Sequence, residues 1–457
     1  MTLWRMGGWA ALVAGVCAAY YGTGLAAVPF HPDESTYIYM SRDFATLFLE
    51  RSPAALVWRP GQPITPEVRY RLLDAPLNRY LIGLGWWGAG WSAAELNADW
   101  VWSASWQANL AAGRIPPPGL LLASRWPAAL LAALTAALVF GLGVAARGWA
   151  AGTLAAGLLA LHPLMLLHGR RAMAEGPLLF TSALAVAAGV WAARRLDQRA
   201  RPSLGRLALI GAGLGLLAGL ALASKHSALV LGPAVLAPAA AAIWQSPETR
   251  RRRVRQLAVL GLAALSAAGA LTLALNPVLW AAPADALRAM WAARLQLSGA
   301  QTAGQQILAP GQVLPAAPDR LRAAVVNVYL APPAVWDVPA ANHLGYLEPQ
   351  ARAYFAGPGR QSPLWAGALL AGLTTAGLAF SALRLFRDRL GPATRAEQGL
   401  WAWGGATVLF TLLAVSIDWQ RYFLPLLPAV CLFAALGLEG LAAPLARRLT
   451  RVRTSTS

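Results

Sequence analysis

"WPAALLAALTAALVFGLGV" occupies residues 126–144 and contains no charged side chain. A run of that length matches the ~20 apolar residues that take an α-helix across a bilayer. Similar runs recur toward both ends of the chain, among them "LALIGAGLGLLAGLALA" at 207–223. Of 457 residues, 57% are hydrophobic and 12% charged, and the mean hydropathy is +0.49. Soluble domains carry about twice that share of charge. The sequence therefore predicts an all-α polytopic membrane protein whose first partner is the lipid bilayer.

The net charge is +19. Its distribution argues against nucleic acid. Basic residues gather in short segments between apolar runs, at 193–206, 250–255, 384–395 and 447–453. Short basic loops mark the cytoplasmic side, where anionic headgroups also favour them. With Arg5, Arg147 and those four segments placed inside, helices are expected near 7–28, 119–144, 149–167, 177–192, 205–222, 227–244, 257–277, 363–383, 397–415 and 422–442. That scheme gives about ten crossings and puts both termini in the cytoplasm. Cys17 and Cys431 fall inside apolar runs, so no disulfide framework is implied.

The chain then divides into a first transmembrane helix (1–28), a first outer loop (29–118), a helical core (119–280), a second outer loop or cap (281–362), and C-terminal helices with a basic cytoplasmic tail (363–457). The first outer loop opens with "PFHPDESTYIYM" (29–40), in which Asp33 and Glu34 stand at the lip of the first span. Behind them Tyr37, Met40, Phe44 and Leu47 recur at helical spacing, which predicts an amphipathic helix on the outer leaflet. The stretch 77–107 is rich in Trp, a residue that settles at headgroup depth. An interfacial lie is expected for 77–93, because a crossing there would invert every later basic loop.

Ionisable residues at the ends of spans carry the functional signal, since each costs about 2.5–3.5 kcal/mol at a helix centre. Arg170, Arg171 and Glu175 sit in one outside turn, and Lys225 with His226 in a second. Asp418, Arg421 and Tyr422 sit in a third, and Asn276 ends a span. Lys225 is the only lysine in the sequence. Each site has a plain alternative: basic side chains near span ends snorkel to headgroups, and "HPDES" suits a helix start. Together they are harder to dismiss, because outside turns are where positive charge is depleted. An anion at the outer membrane surface would account for them.

A sugar on a polyprenyl monophosphate is such an anion. Fixed cations stabilise the charge that grows on the phosphate as the glycosidic bond breaks. A carboxylate accepts the proton of an acceptor hydroxyl attacking from the opposite face, which inverts the anomeric configuration. Adjacent helical positions point about 100° apart, so Asp33 and Glu34 are given separate tasks, base and acceptor-orienting group respectively.

The ordered set "HPDES" (31–35), "RWPAALLAALTAALVFGLG" (125–143), "GRRAMAEGPLLF" (169–180), "GLALASKHSALVLGP" (219–233), "NPVLW" (276–280) and "RYFLPLLP" (421–428) resembles the GT-C polyprenyl-phosphate-dependent glycosyltransferases. The likeness is to bacterial relatives of protein O-mannosyltransferases and lipid A aminoarabinose transferases. It implies a GT-C bundle with Asp33 catalytic, Glu34 beside it, and Lys225 and Arg421 near the donor phosphate. Arg170, Arg171, Glu175, His226, Tyr422 and Asn276 are further candidates for donor phosphate or sugar. It also implies a multi-pass protein of the inner (plasma) membrane with an extracytoplasmic site. The large appended C-terminal domain of some members is not expected here.

His31 beside two acids is weak spacing for a metal site. No metal or other cofactor is expected, with a divalent cation as the open alternative. The acceptor is left as protein, lipid or glycan. A purely structural membrane protein would leave Lys225 and the acid pair without a purpose, and two further rival readings remain. One is a transporter or flippase for a lipid-linked or anionic solute, against which stands the lack of two matching halves. The other is an envelope-polysaccharide polymerase or ligase, which would use diphosphate-linked donors.

Overall fold

The structure is a computed structural model that describes residues 3–198, 202–337 and 341–455. Among these residues every regular element is helical, apart from one isolated bridge between Val313 and Ile417. In chain order the principal helices are α1 (Leu3–Thr23), α2 (Pro32–Met40), α3 (Pro66–Leu73), α4 (Leu77–Gly88), α5 (Pro118–Arg147) and α6 (Trp149–Leu161). Then come α7 (Pro163–His168), α8 (Glu175–Asp197), α9 (Leu204–Ser224), α10 (Leu231–Trp244) and α11 (Arg250–Leu275). The series ends with α12 (Pro283–Leu308), α13 (Ala341–Ala356), α14 (Leu364–Arg387), α15 (Arg395–Ala414) and α16 (Leu427–Ser455). In lipid such helices satisfy every backbone polar group internally.

Seven segments among the described residues are long and apolar enough to cross a membrane: Pro118–Arg147, Glu175–Asp197, Leu204–Ser224, His226–Trp244, Arg250–Leu275, Leu364–Arg387 and Gln420–Ala442. Each coincides with an expected span. The other three expected spans are helical at α1, α6 and α15 but do not meet that measure. The span expected at 149–167 is broken at His162. Pro163 lacks an N–H and biases the residue before it toward extended backbone, and His162 has ψ 129°. Its ring is held by the Val328 carbonyl at 3.1 Å.

The helix α4 has 12 residues, ~18 Å of rise, too short to cross a hydrocarbon core of about 30 Å. It packs against α5, where a side chain at Gly85 would meet the Ala123 carbonyl at 2.6 Å. The apolar face predicted for the segment behind Asp33 turns into the protein instead of onto a leaflet. Phe44 is buried and lies edge-on to Trp86, while Phe48 and Leu49 stay exposed. The side chains expected to form a basic tail at 447–453 lie outside the described residues, as do residues 199–201 of the 193–206 loop.

Close helix contacts depend on small residues. Gly211, Gly215 and Gly219 form one stripe of α9 against α11, and a Cβ on Gly215 would lie 2.1 Å from the Ala264 carbonyl. Such stripes let membrane helices approach closely where no hydrophobic force between them exists. Away from the acid pair, the bundle end is held by Arg395 to Asp197 at 2.8 Å and by Glu397, which receives Arg384 at 2.7 Å and Arg147 at 3.1 Å.

The 29–118 segment is fastened to α5 by a buried ion pair. Glu34 takes both prongs of Arg125, at 2.7 Å each, and the N–H groups of Ala172 at 2.9 Å and His31 at 3.0 Å. Arg125 spends its remaining donors on the carbonyls of Leu25, Val28 and Pro29. Burial alone would raise the Glu34 carboxyl, but Arg125 outweighs it and holds the pKa below its ordinary value. The stabilisation is therefore present at neutral pH and is lost as pH falls through the folded-state value.

Two outcomes follow for thermal unfolding of the purified protein. Glu34→Gln leaves Arg125 buried without its carboxylate and is expected to cost about 3–5 kcal/mol, seen as a large fall in melting temperature. Gly215→Leu forces α9 from α11 and is expected to cost about 1–3 kcal/mol. Gly213→Ala, with nothing within 4 Å, should leave the melt unchanged.

Candidate functional site

The site is built where α2 starts. His31 caps that helix, its Nδ1 accepting the Asp33 N–H at 3.1 Å while Glu34 accepts the His31 N–H. This reciprocal capping box fixes the first turn. The two acids consequently diverge: Glu34 is wholly buried, whereas the Asp33 side chain is 24% exposed. Only Asp33 is open to a ligand.

Arg421, from the segment leading into α16, donates through Nη1 to Asp33 and places Nε 3.0 Å from Asp337 Oδ2. Its guanidinium lies 5.2 Å from the Trp419 ring and 5.7 Å from the Tyr422 ring. On the same Tyr422 ring sits Lys225 Nζ, at 5.5 Å, paired with Glu175 at 2.9 Å. Asp33, Arg421, Tyr422, Lys225 and Glu175 thus form one strip, contributed by α2, α8, the end of α9 and the turn before α16. Burial would raise the Asp33 carboxyl, but Arg421 and then His31 outweigh that and keep its pKa below the usual value.

Other candidates are spent on the fold. Arg170 donates to the main chain of Leu166 and to the Tyr354 hydroxyl. Arg171 donates to the carbonyls of Pro29 and Val335. Both are fully buried, so neither presents a free guanidinium to a phosphate. Glu34 serves as the anchor described above instead of orienting an acceptor. His226 bonds the Leu73 main chain, where Arg294 also donates at 2.5 Å. Asn276 is buried at the end of α11, with no described contact to the strip. Asp418 faces away, accepting from Asn327 at 2.5 Å.

The structure adds residues the sequence did not single out. Asp337 comes from the 281–362 segment, and Arg125 anchors Glu34. Tyr37, one turn beyond Asp33, reaches Asp74 at 3.5 Å. Burial pushes the Asp74 carboxyl up, with Arg294 and Arg79 pulling the other way. Arg125 had a signal, a charge at the head of a long apolar run. Asp337 had none. No group of three or more metal-ligating side chains occurs among the described residues. His31, the residue closest to that role, uses both ring nitrogens within the protein.

A family model described as dolichyl-phosphate-mannose-protein mannosyltransferase matches residues 64–292. Among solved structures, the Archaeoglobus fulgidus oligosaccharyltransferase in its apo form aligns with 97% of this chain and 52% of its own, at 16% identity and TM-score 0.49. AglB from the same organism, in complex with an inhibitory peptide and a dolichol-phosphate, aligns over 99% of this chain and 52% of its own, at 15% identity and TM-score 0.47. ArnT from Cupriavidus metallidurans, bound to undecaprenyl phosphate, covers 94% and 60%, at 14% identity and TM-score 0.45. The chain spans about half the length of the oligosaccharyltransferases it matches. No match is found among curated proteins. With half of its length matched, the chain belongs to the dolichyl-phosphate-mannose-protein mannosyltransferase family, a family of GT-C glycosyltransferases.

Proposed function

We propose that the protein transfers a sugar from a polyprenyl-phosphate donor to an acceptor hydroxyl on the extracytoplasmic side of the inner membrane, with inversion and with Asp33 as general base. The reading is carried by one observation: a partly exposed carboxylate, Asp33, touches Arg421, which shares the Tyr422 ring with Lys225. Family membership supports a lipid-phosphate sugar as donor.

In this reading the lipid tail lies among the helices and its phosphate meets Arg421 and Lys225. An acceptor hydroxyl gives its proton to Asp33 as its oxygen bonds to the anomeric carbon. The bond from that carbon to the phosphate oxygen breaks, and the electron pair leaves with the polyprenyl phosphate. Arg421 and Lys225 stabilise the charge gathered there. Glu175 and Asp337 hold the two cations in place before the donor arrives.

The orientation is supported by Arg147, Arg384 and Arg395, which pair with Glu397 and Asp197 at the bundle end away from Asp33. Cysteine substitution tests it, since the native Cys17 and Cys431 are buried. Cysteine at exposed Ala317 should label in intact cells, and at exposed Arg252 only after permeabilisation.

With a panel of labelled polyprenyl-phosphate sugars, Asp33→Asn is expected to lower kcat by about 10²–10⁴-fold while expression stays normal. Full activity of that variant would remove Asp33 from the chemistry. Lys225→Ala should raise the donor KM more than the acceptor KM. Unchanged donor dependence would take Lys225 out of the phosphate site.

A further inference from the structure

We propose that Asp337, delivered by the second outer segment, is a positioning residue for transfer: it divides the Arg421 guanidinium with Asp33 and fixes the His31 ring that caps the helix bearing Asp33. The inference rests on the transferase reading above and adds a residue to it.

The loop that carries Asp337 is fixed from two sides. Arg171 donates to the Val335 carbonyl at 2.6 Å. Gln420, the neighbour of Arg421, accepts the Ala334 N–H at 2.6 Å and donates to the Pro332 carbonyl at 3.1 Å. The carboxylate is therefore held against Arg421 by the residue adjoining Arg421 itself. Asp337 is 7% exposed. Its Oδ2 meets both Arg421 Nε, at 3.0 Å, and His31 Nε2, at 3.1 Å.

The His31 bond settles a tautomer. Because Nδ1 accepts the Asp33 N–H, the ring proton of neutral His31 sits on Nε2 and is donated to Asp337. The hydrogen-bond network assigns this proton. Asp337 thus orients the imidazole, and the imidazole orients the main chain of Asp33. The other oxygen, Oδ1, is buried with no partner among the described residues.

Charge gives Asp337 a second effect. One guanidinium serves two carboxylates, so neither has it alone. Asp33 faces Arg421, which favours its ionised form, and Asp337, which opposes it. Tyr37, Tyr70, Asp74, Glu175, Tyr422, Lys225 and Arg294 surround Asp33, and His168 and Arg171 face Asp337. Asp337 therefore keeps Asp33 a stronger base than Arg421 alone would leave it.

The test compares full-length wild type, Asp337→Asn and Asp337→Glu. In Asp337→Asn, kcat should fall about tenfold, and the acidic limb of kcat/KM should move to lower pH. The donor KM should stay level or fall, since one negative charge fewer faces the phosphate. Asp337→Glu should restore much of the rate. A readout independent of turnover is the infrared carboxyl band that Asp33→Asn removes; its titration midpoint should be lower in Asp337→Asn. Asp337→Ser gives the same readings if the Asn variant does not accumulate. An unmoved midpoint, or an unchanged kcat with a raised KM, overturns the proposal. Wild type that transfers no sugar, with the midpoint still lower in Asp337→Asn than in wild type, would sink the transferase reading and leave the shared guanidinium standing.

Discussion

The arrangement hangs on the buried pair between Glu34 and Arg125. Burying two charges is expensive, and mutual attraction offsets that cost only when the leftover donors and acceptors also find partners. Here they do: Glu34 accepts from two main-chain N–H groups besides Arg125, and Arg125 donates to three carbonyls, of Leu25, Val28 and Pro29, between α1 and α2. The pair joins α2 to the head of α5 and to the turn before α8. Because Glu34 is committed inward, its neighbour must face outward, and a carboxylate at the rim of the bundle results.

That rim is built from cations that already have anions. Arg421 has Asp33 and Asp337, and Lys225 has Glu175. In the proposed reaction an incoming phosphate would meet side chains already held in position and would compete with carboxylates for them. The competition favours a ligand whose remaining parts, lipid or sugar, add binding of their own over a free inorganic anion. Arg170 and Arg171, next to each other in the sequence and looking equally eligible, are excluded from this exchange because main-chain carbonyls hold them.

Much of the fold was legible because a bilayer imposes a length and a polarity on each element. Seven expected spans appear as helices of crossing length, and Asp33, Lys225, Glu175 and Arg421 meet as the charges at span ends implied. The break at His162 was written in the dipeptide His162-Pro163, whose local bias overrides an apolar run. Asp337 was illegible for a different reason. It lies in a Pro-rich stretch without periodicity, and its partner His31 is 306 residues away. Only the closed fold brings a third segment to the acid pair. Tyr37 was read as part of a lipid-facing stripe, and the same helical spacing turned it toward Asp33 instead.

The chain carries 38 basic side chains, and all but Lys225 are arginine. Arginine keeps its charge under any physiological condition and resists acylation, whereas a primary amine does not. Reagents and enzymes that acylate side-chain amines therefore have one address in this sequence, and it is the nitrogen lying against Glu175 and over Tyr422. Neutralising that amine would leave Glu175 without its counter-ion at the rim of the site. A chemistry that is diffuse in most proteins is here confined to a single atom.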